Sequence, residues 1–132
     1  MPFIDTLIDL ATTPAADLPP RARDMARLSL MDWIVCGRAG VAEPLAEKLR
    51  ALADHEGGRA EASVFGGPAR PARMAALVNG ATSHALDYDD THFAHIGHLS
   101  VGIYPAALAV GEAEGAAAQD VVDAFLVGAE AA

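Results

Sequence analysis

Apolar residues recur at helical spacing in six successive segments of this chain, and proline or glycine marks every junction between them. That pattern commits the chain to helix packed against helix. Phe3, Ile4, Leu7, Ile8, Leu10 and Ala11 predict a short packing helix from about Pro2 to Thr12, which Pro14 stops. After a connector from Pro14 to Pro20, with Pro19 and Pro20 in first-turn positions that need no amide donor, a longer helix is expected to run to about Gly37. Gly37 and Gly40 are expected to end it, and Pro44 to open a third helix with a stripe of Leu45, Leu49, Leu52 and Ala53. Glu43, Glu47, Lys48 and Arg50 mark its solvated side. Glu61 to Gly67, Glu-Ala-Ser-Val-Phe-Gly-Gly, predicts one short extended segment, a lone strand or a loop. Helical spacing resumes from Pro71 through Met74, Leu77, Val78, Ala81 and Ala85, then from Val101 to Glu114, then from Gln119 onward. The expected fold is predominantly all-α and bundle-like. Hydrophobic residues make up 52% of the chain but aromatics only 5%, so a core of small side chains at close helix separations is expected.

Two details of this pattern carry further expectations. From Leu28 to Cys36 only Ser29 and Asp32 interrupt an apolar run, which predicts a helix buried nearly all round and an Asp32 carboxylate satisfied by backbone amides or an arginine. In the last helix, Val121, Val122, Phe125 and Leu126 set an apolar stripe, and the sequence stops at Ala132 without a glycine cap or polar tail. An uncovered apolar face is expected there, as in a truncated chain or one half of a split protein.

The formal net charge of −9 argues against nucleic acid and anionic membranes, since phosphate recognition needs a basic face and the nine Lys and Arg are scattered. No window approaches a membrane span, and the first residues lack the basic and apolar regions of a signal peptide. The lone Cys36 excludes an internal disulfide and suits a reducing compartment, so a cytoplasmic location is expected.

Chemistry is concentrated between Asn79 and Ser100, which holds four of the five histidines and three aspartates within four positions. Were the preceding helix to run on to about Asp90, His84, Asp87 and Thr91 would share a face, with Asp90 near Asp87 and Asp89 pointing elsewhere. Two neighbouring carboxylates repel, so one holds a proton or a cation compensates them, and a carboxyl so poised is a usable acid or base. Thr91 would offer its hydroxyl and the following amides to a carboxylate. Three readings stay open from spacing alone. The first is acid–base catalysis on a small oxygen-rich substrate by an Asp and a His. The second is a metal site built from His84, Asp87, Asp90 and the histidines at 92, 95 and 98. In the third, the acids cap helix ends and the histidines are surface or hydrogen-bonded residues.

Asn79-Gly80, the run His84-Ala-Leu-Asp-Tyr-Asp-Asp-Thr-His92 and His98-Leu-Ser together resemble the signature of the MmgE/PrpD family, which includes 2-methylcitrate dehydratase and cis-aconitate decarboxylase. Leu30 to Gly37 is similar to that family's early buried helix, and Gly128-Ala-Glu130 to a later Gly-Tyr-Glu element. The resemblance implies that residues 1–132 are the N-terminal helical domain of a dimeric, cofactor-free enzyme. It implies dehydration, decarboxylation or epimerisation of di- or tricarboxylates. By motif position it makes Asp87, Thr91 and His98 catalytic and substrate-binding residues, Asp32 structural, His92 and His95 bystanders, and metal absent from the site. Because the family's enzymes are several times longer, it also implies that the remaining catalytic groups and the lid domain lie beyond Ala132, so that a homodimer mate or a complementary C-terminal chain is the expected partner and the piece alone is inactive. The alternatives are a non-catalytic helical remnant or interaction module that keeps the fold, and a metal-binding helical domain.

Overall fold

The structure, a computed structural model, describes residues 2–132. Its elements are α1 (Phe3–Ala11), a single 3-10 turn (Ala15–Asp17), α2 (Pro20–Gly40), α3 (Pro44–Glu56), β1 (Ala62–Val64), β2 (Gly67–Arg70), α4 (Ala72–His84), α5 (Leu99–Glu114) and α6 (Ala118–Ala131). The predominantly α-helical class is therefore as expected. Pro20 and Pro44 each sit in the first turn of a helix, where the missing N–H costs nothing. The expected extended segment is one arm of an antiparallel hairpin in which Ala62 faces Arg70 and Val64 faces Gly67. The second arm, Gly-Pro-Ala-Arg, has neither alternation nor β-branched residues, so nothing in its composition announces a strand. Asn79 of α4 clamps this hairpin: its Oδ1 accepts the Phe65 N–H and its Nδ2 donates to the Ser63 carbonyl, both at 2.8 Å.

α2 ends at Gly40, as expected, but Gly37 lies inside it. A Cβ at Gly40 would collide with the Thr82 carbonyl of α4, and one at Gly37 with the Phe65 ring. Gly40 lets α2 and α4 approach at backbone distance, and Gly37 makes room for the Phe65 ring, which outweighs its helix-breaking tendency.

The core has two parts. Small residues dominate one, where Ala53, Ala62, Val64, Met74, Ala75, Val78 and Ala109 join α3, the hairpin, α4 and α5. The other departs from the small-side-chain expectation, because the few aromatics are gathered in one place. Tyr104 stacks on Phe125 at 4.0 Å between centroids and on Trp33 at 5.8 Å, and Phe65 tilts against Trp33 at 5.2 Å. Trp33 and Tyr104 are both fully buried, and both satisfy their polar atoms: Trp33 Nε1 donates to Ser83 Oγ at 2.8 Å, and the Tyr104 hydroxyl to the Ala26 carbonyl at 2.5 Å. Burial, with a smaller effect from the Asp90 charge, pushes the Tyr104 hydroxyl well above its ordinary range, so it stays a donor at every accessible pH.

Four packing expectations are corrected. The apolar run of α2 is buried on one side only, with Trp33 and Cys36 inward and Leu28, Met31 and Val35 more than half exposed; Asp32 is exposed too and its one close side-chain partner is Cys36 Sγ at 3.9 Å. In α3 the buried positions are Ala46 and Ala53, while Leu45 and Leu52 face outward. In α6, Val121, Val122 and Phe125 are covered by the aromatic cluster, so the uncovered apolar face expected there lies on α2 instead. Finally, α1 touches α6 but contributes no buried residue.

A partly buried ion pair closes α2 against α6. Arg23 Nε lies 2.8 Å from Asp123 Oδ1 and its terminal nitrogen 3.3 Å from Oδ2, and Gln119 Nε2 donates to Oδ1 at 2.9 Å. The hydrogen bonds from Arg23 hold the Asp123 carboxyl below its ordinary range, against the opposing effect of burial. A depressed carboxyl contributes stability that is present above the unfolded value, near ~4, and is lost as pH falls toward the folded value. Asp123→Asn is therefore expected to destabilise by about 1–3 kcal/mol at neutral pH, and urea melts of the two proteins are expected to converge as the pH falls below the ordinary carboxylate range.

Candidate active site

Helix α4 ends at His84 rather than running on to Asp90, so the shared helical face of His84, Asp87 and Thr91 does not form. Instead the chain turns through Ala85 and Leu86, with the Asp87 N–H bonded to the His84 carbonyl at 3.0 Å, and Asp87 takes the left-handed conformation at φ 55°. Aspartate tolerates that region better than most residues. The reversal carries Asp89 back beneath the end of α4, where it is buried with a fully covered side chain. From there residues 92–97 form a small loop closed by a bridge between His92 and Gly97, with the His92 N–H donating to the Gly97 carbonyl at 2.8 Å. The loop returns the chain to Asp89 at His98, the residue that opens α5.

Four side chains meet at this crossing. His84 Nδ1 lies 2.9 Å from Asp89 Oδ1, and His98 Nδ1 lies 3.4 Å from Asp89 Oδ2 and 3.2 Å from the Asp89 carbonyl. Asp89 Oδ2 is buried and receives no hydrogen bond in this geometry. On the outer side, Asp87 Oδ1 is 3.8 Å from His84 Nε2 and 3.8 Å from His98 Nε2. The two imidazoles meet edge to face with centroids 4.9 Å apart. A buried carboxylate accepting from an imidazole fixes both the orientation and the tautomer of the ring, leaving the other nitrogen to act as a base. Asp87, with a side chain 78% exposed, faces solvent across that nitrogen.

Of the three residues expected to act, the structure therefore brings Asp87 and His98 together and sets Thr91 apart. Thr91 lines a cavity of about 560 Å³ between the loop, α2 and α6, bordered also by Ser29, Asp90, His92 and Glu130; neither Asp87 nor His98 borders it. Asp90 is occupied elsewhere. Its Oδ1 accepts from the Ser100 N–H at 3.2 Å and its Oδ2 from the Ser100 hydroxyl at 2.7 Å, placing a carboxylate at the N-terminus of α5. His92 and His95 are exposed, and the His95 N–H donates to His92 Nδ1 at 3.2 Å.

Of the participants, Asp89 is the one that sequence spacing points away from the site, and His84, a candidate metal ligand by spacing, enters as the partner of Asp89. Their signal is a histidine at a helix end followed five residues later by an aspartate, which has meaning only if the helix stops at the histidine. The charges here reach the core, because Asp89 and Asp90, after burial and Asp32, push the Cys36 thiol up. His84, Asp89 and His98 also each offer a ligand atom, all within 4.8 Å of one another, a donor set of two imidazoles and a carboxylate that suits zinc or iron. The metal set expected from spacing, with Asp87 and Asp90, is not the one that assembles.

No helix among the described residues is long and apolar enough to cross a membrane. No curated protein matches the chain significantly. The sequence model of the MmgE/PrpD N-terminal domain matches residues 10–132, which takes in every element from the end of α1 to α6 and the whole histidine–aspartate cluster. The chain belongs to the MmgE/PrpD family, as its N-terminal domain.

Proposed function

We propose that this domain supplies one wall of the active site of a cofactor-free lyase or isomerase acting on di- or tricarboxylates, of the 2-methylcitrate dehydratase kind. The observation that carries the reading is the pairing of His98 with two carboxylates: Asp89, buried, at Nδ1, and Asp87, exposed, facing Nε2 at 3.8 Å. The reactions of this class share one difficulty, charge that builds at a carbon beside a carboxylate while a proton is removed. An imidazole with its Nδ1 hydrogen bonded inward and its Nε2 presented outward is suited to that removal, and Asp87 stabilises the imidazolium that results. Thr91 serves the substrate from the adjoining cavity through its hydroxyl.

What the cluster lacks is positive charge. Its carboxylates have only histidines as ion-pair partners among the described residues, whereas Arg23, Arg27, Arg59 and Arg70 pair with Asp123, Asp24, Glu61 and Asp54 away from the site. A chain of net charge −9 repels a tricarboxylate, so the cations that hold the substrate come from a second copy or a complementary chain. The exposed Leu28, Met31 and Val35 of α2 give such a partner an apolar surface to cover.

The test is turnover. Consumption of 2-methylcitrate or cis-aconitate is expected when the chain is combined with a candidate complementary chain. A stable complex that consumes neither these nor related hydroxy acids contradicts the reading.

A further inference from the structure

Asp89 holds two rings, and they are placed alike. We infer that His84 is a second proton-carrying residue of this site, matched to His98, with Asp89 anchoring both imidazoles by Nδ1 and Asp87 facing both Nε2 atoms. The assignment of hydrogens rests on geometry alone, whereas the catalytic part rests on the function proposed above.

An ionised carboxylate can only accept hydrogen bonds, and so can a backbone carbonyl. His84 Nδ1, at 2.9 Å from Asp89 Oδ1, therefore carries a hydrogen. The same holds for His98 Nδ1, whose neighbours are Asp89 Oδ2 at 3.4 Å and the Asp89 carbonyl at 3.2 Å. Each ring in its neutral form then has its lone pair on Nε2. Both Nε2 atoms lie 3.8 Å from one oxygen, Asp87 Oδ1, which is beyond direct hydrogen-bond reach. Access differs from anchoring: the His84 and His98 side chains are 45% and 28% exposed, while the Asp89 side chain is at 0%. A ligand entering beside Asp87 thus meets two imidazole nitrogens, one from the end of α4 and one from the start of α5.

Two proton carriers are what this class of reaction uses. The neutral ring takes the proton from the carbon beside the substrate carboxylate, and the C–H electron pair stays with that carbon. In a dehydration this pair becomes the second bond of the alkene as the neighbouring C–O bond breaks, and the other ring, which enters the step as imidazolium, gives its Nε2 proton to the departing hydroxyl, which leaves as water. In an epimerisation the other ring instead returns its proton to the opposite face of the carbon. Either way one ring ends as imidazolium and the other as neutral imidazole, so the charge of the pair is unchanged beside Asp87 and Asp89.

Long-range proton–nitrogen correlation spectra of the histidine rings in the full chain test the hydrogen assignment. The expected result is that both His84 and His98, in their neutral forms, carry hydrogen on Nδ1 and not on Nε2. Hydrogen on Nε2 of His84, or a stoichiometric metal ion on the purified chain that makes the Nδ1 atoms ligands, overturns the inference. Once turnover is established in the complex, His84→Gln in deuterium oxide tests the catalytic part. It is expected to keep exchange of the substrate's carbon-bound hydrogen with solvent, performed by His98, while net product formation falls at least ~100-fold. Exchange and product formation reduced by the same factor, or neither reduced, overturns it. A wild-type complex that neither exchanges nor turns over counts against the proposed function, and the ring spectra then still decide the assignment for His84.

Discussion

Asp89→Asn is expected to lower turnover by about two to four orders of magnitude while leaving the helical fold in place. The side chain is fully covered; its Oδ1 accepts from His84 Nδ1 at 2.9 Å, and its Oδ2 lies 3.4 Å from His98 Nδ1, which is hydrogen bonded to the Asp89 carbonyl. Asparagine keeps the shape but replaces one acceptor with an NH₂ donor. With the NH₂ in the place of Oδ1, His84 must present a bare Nδ1, which moves its hydrogen to Nε2 and removes that base from the outer side, whereas His98 keeps its bond to the Asp89 carbonyl. Removing the carboxylate also takes away the charge that stabilises either imidazolium. The effect is expected mainly in kcat, since Asp87 and Thr91 remain to meet the substrate. Circular dichroism and a urea melt on the same protein separate this from unfolding, and the ring spectra are expected to show one histidine with hydrogen on Nε2.

The second large effect concerns the fold that aims these rings. Trp33→Ala is expected to cost about 3–5 kcal/mol, a large share of the ~5–15 kcal/mol that holds an ordinary domain together. Trp33 is fully buried between Phe65 and Tyr104 and donates to Ser83, the residue immediately before His84. The substitution removes the ring, opens a cavity where α2, the hairpin and α5 meet, and takes a donor from the last turn of α4. Trp33→Phe keeps most of the apolar contact and loses the donor, and Ser83 Oγ still donates to the Gly80 carbonyl at 3.0 Å. Its expected cost is only about 1–3 kcal/mol. Denaturant midpoints of the two variants distinguish the packing contribution from the hydrogen bond.

The helices were legible because their signals are local. Pro20, Pro44 and the Ala- and Leu-rich periodicity fix where helices begin and which residue types fill them. What was not legible depends on partners distant in sequence. Gly37 looks like a terminator until the Phe65 ring is known to lie against it. The apolar run of α2 looks wholly buried, because its composition does not say that one face is left uncovered. β2 is a strand because β1, itself clamped by Asn79, pairs with it, not through any preference of Gly-Pro-Ala-Arg.

At the site the division is the same. Asp87 and His98 were found from the family motif, and they do meet. Asp89 was set aside because a continued helix would have pointed it away, and the left-handed turn at Asp87 reverses that. No periodicity reveals one residue's positive φ. For His84 the spacing offers a helical face or a metal set, whereas its pairing with His98 arises from a loop that brings back a residue fourteen positions later. Thr91 keeps its proposed contact with substrate, but from a neighbouring cavity and not from within the cluster.

The central claim is that Asp87, His84 and His98 face a carboxylate substrate over a buried Asp89. It is tested most directly by comparing wild type and Asp87→Asn in the assembled complex, with loss of 2-methylcitrate or cis-aconitate as the signal. The substitution removes the one carboxylate that faces both Nε2 atoms, and because Asp87 is exposed it leaves the fold alone. The account predicts an intact complex with turnover lowered at least ~100-fold. An intact complex in which Asp87→Asn is fully active contradicts it.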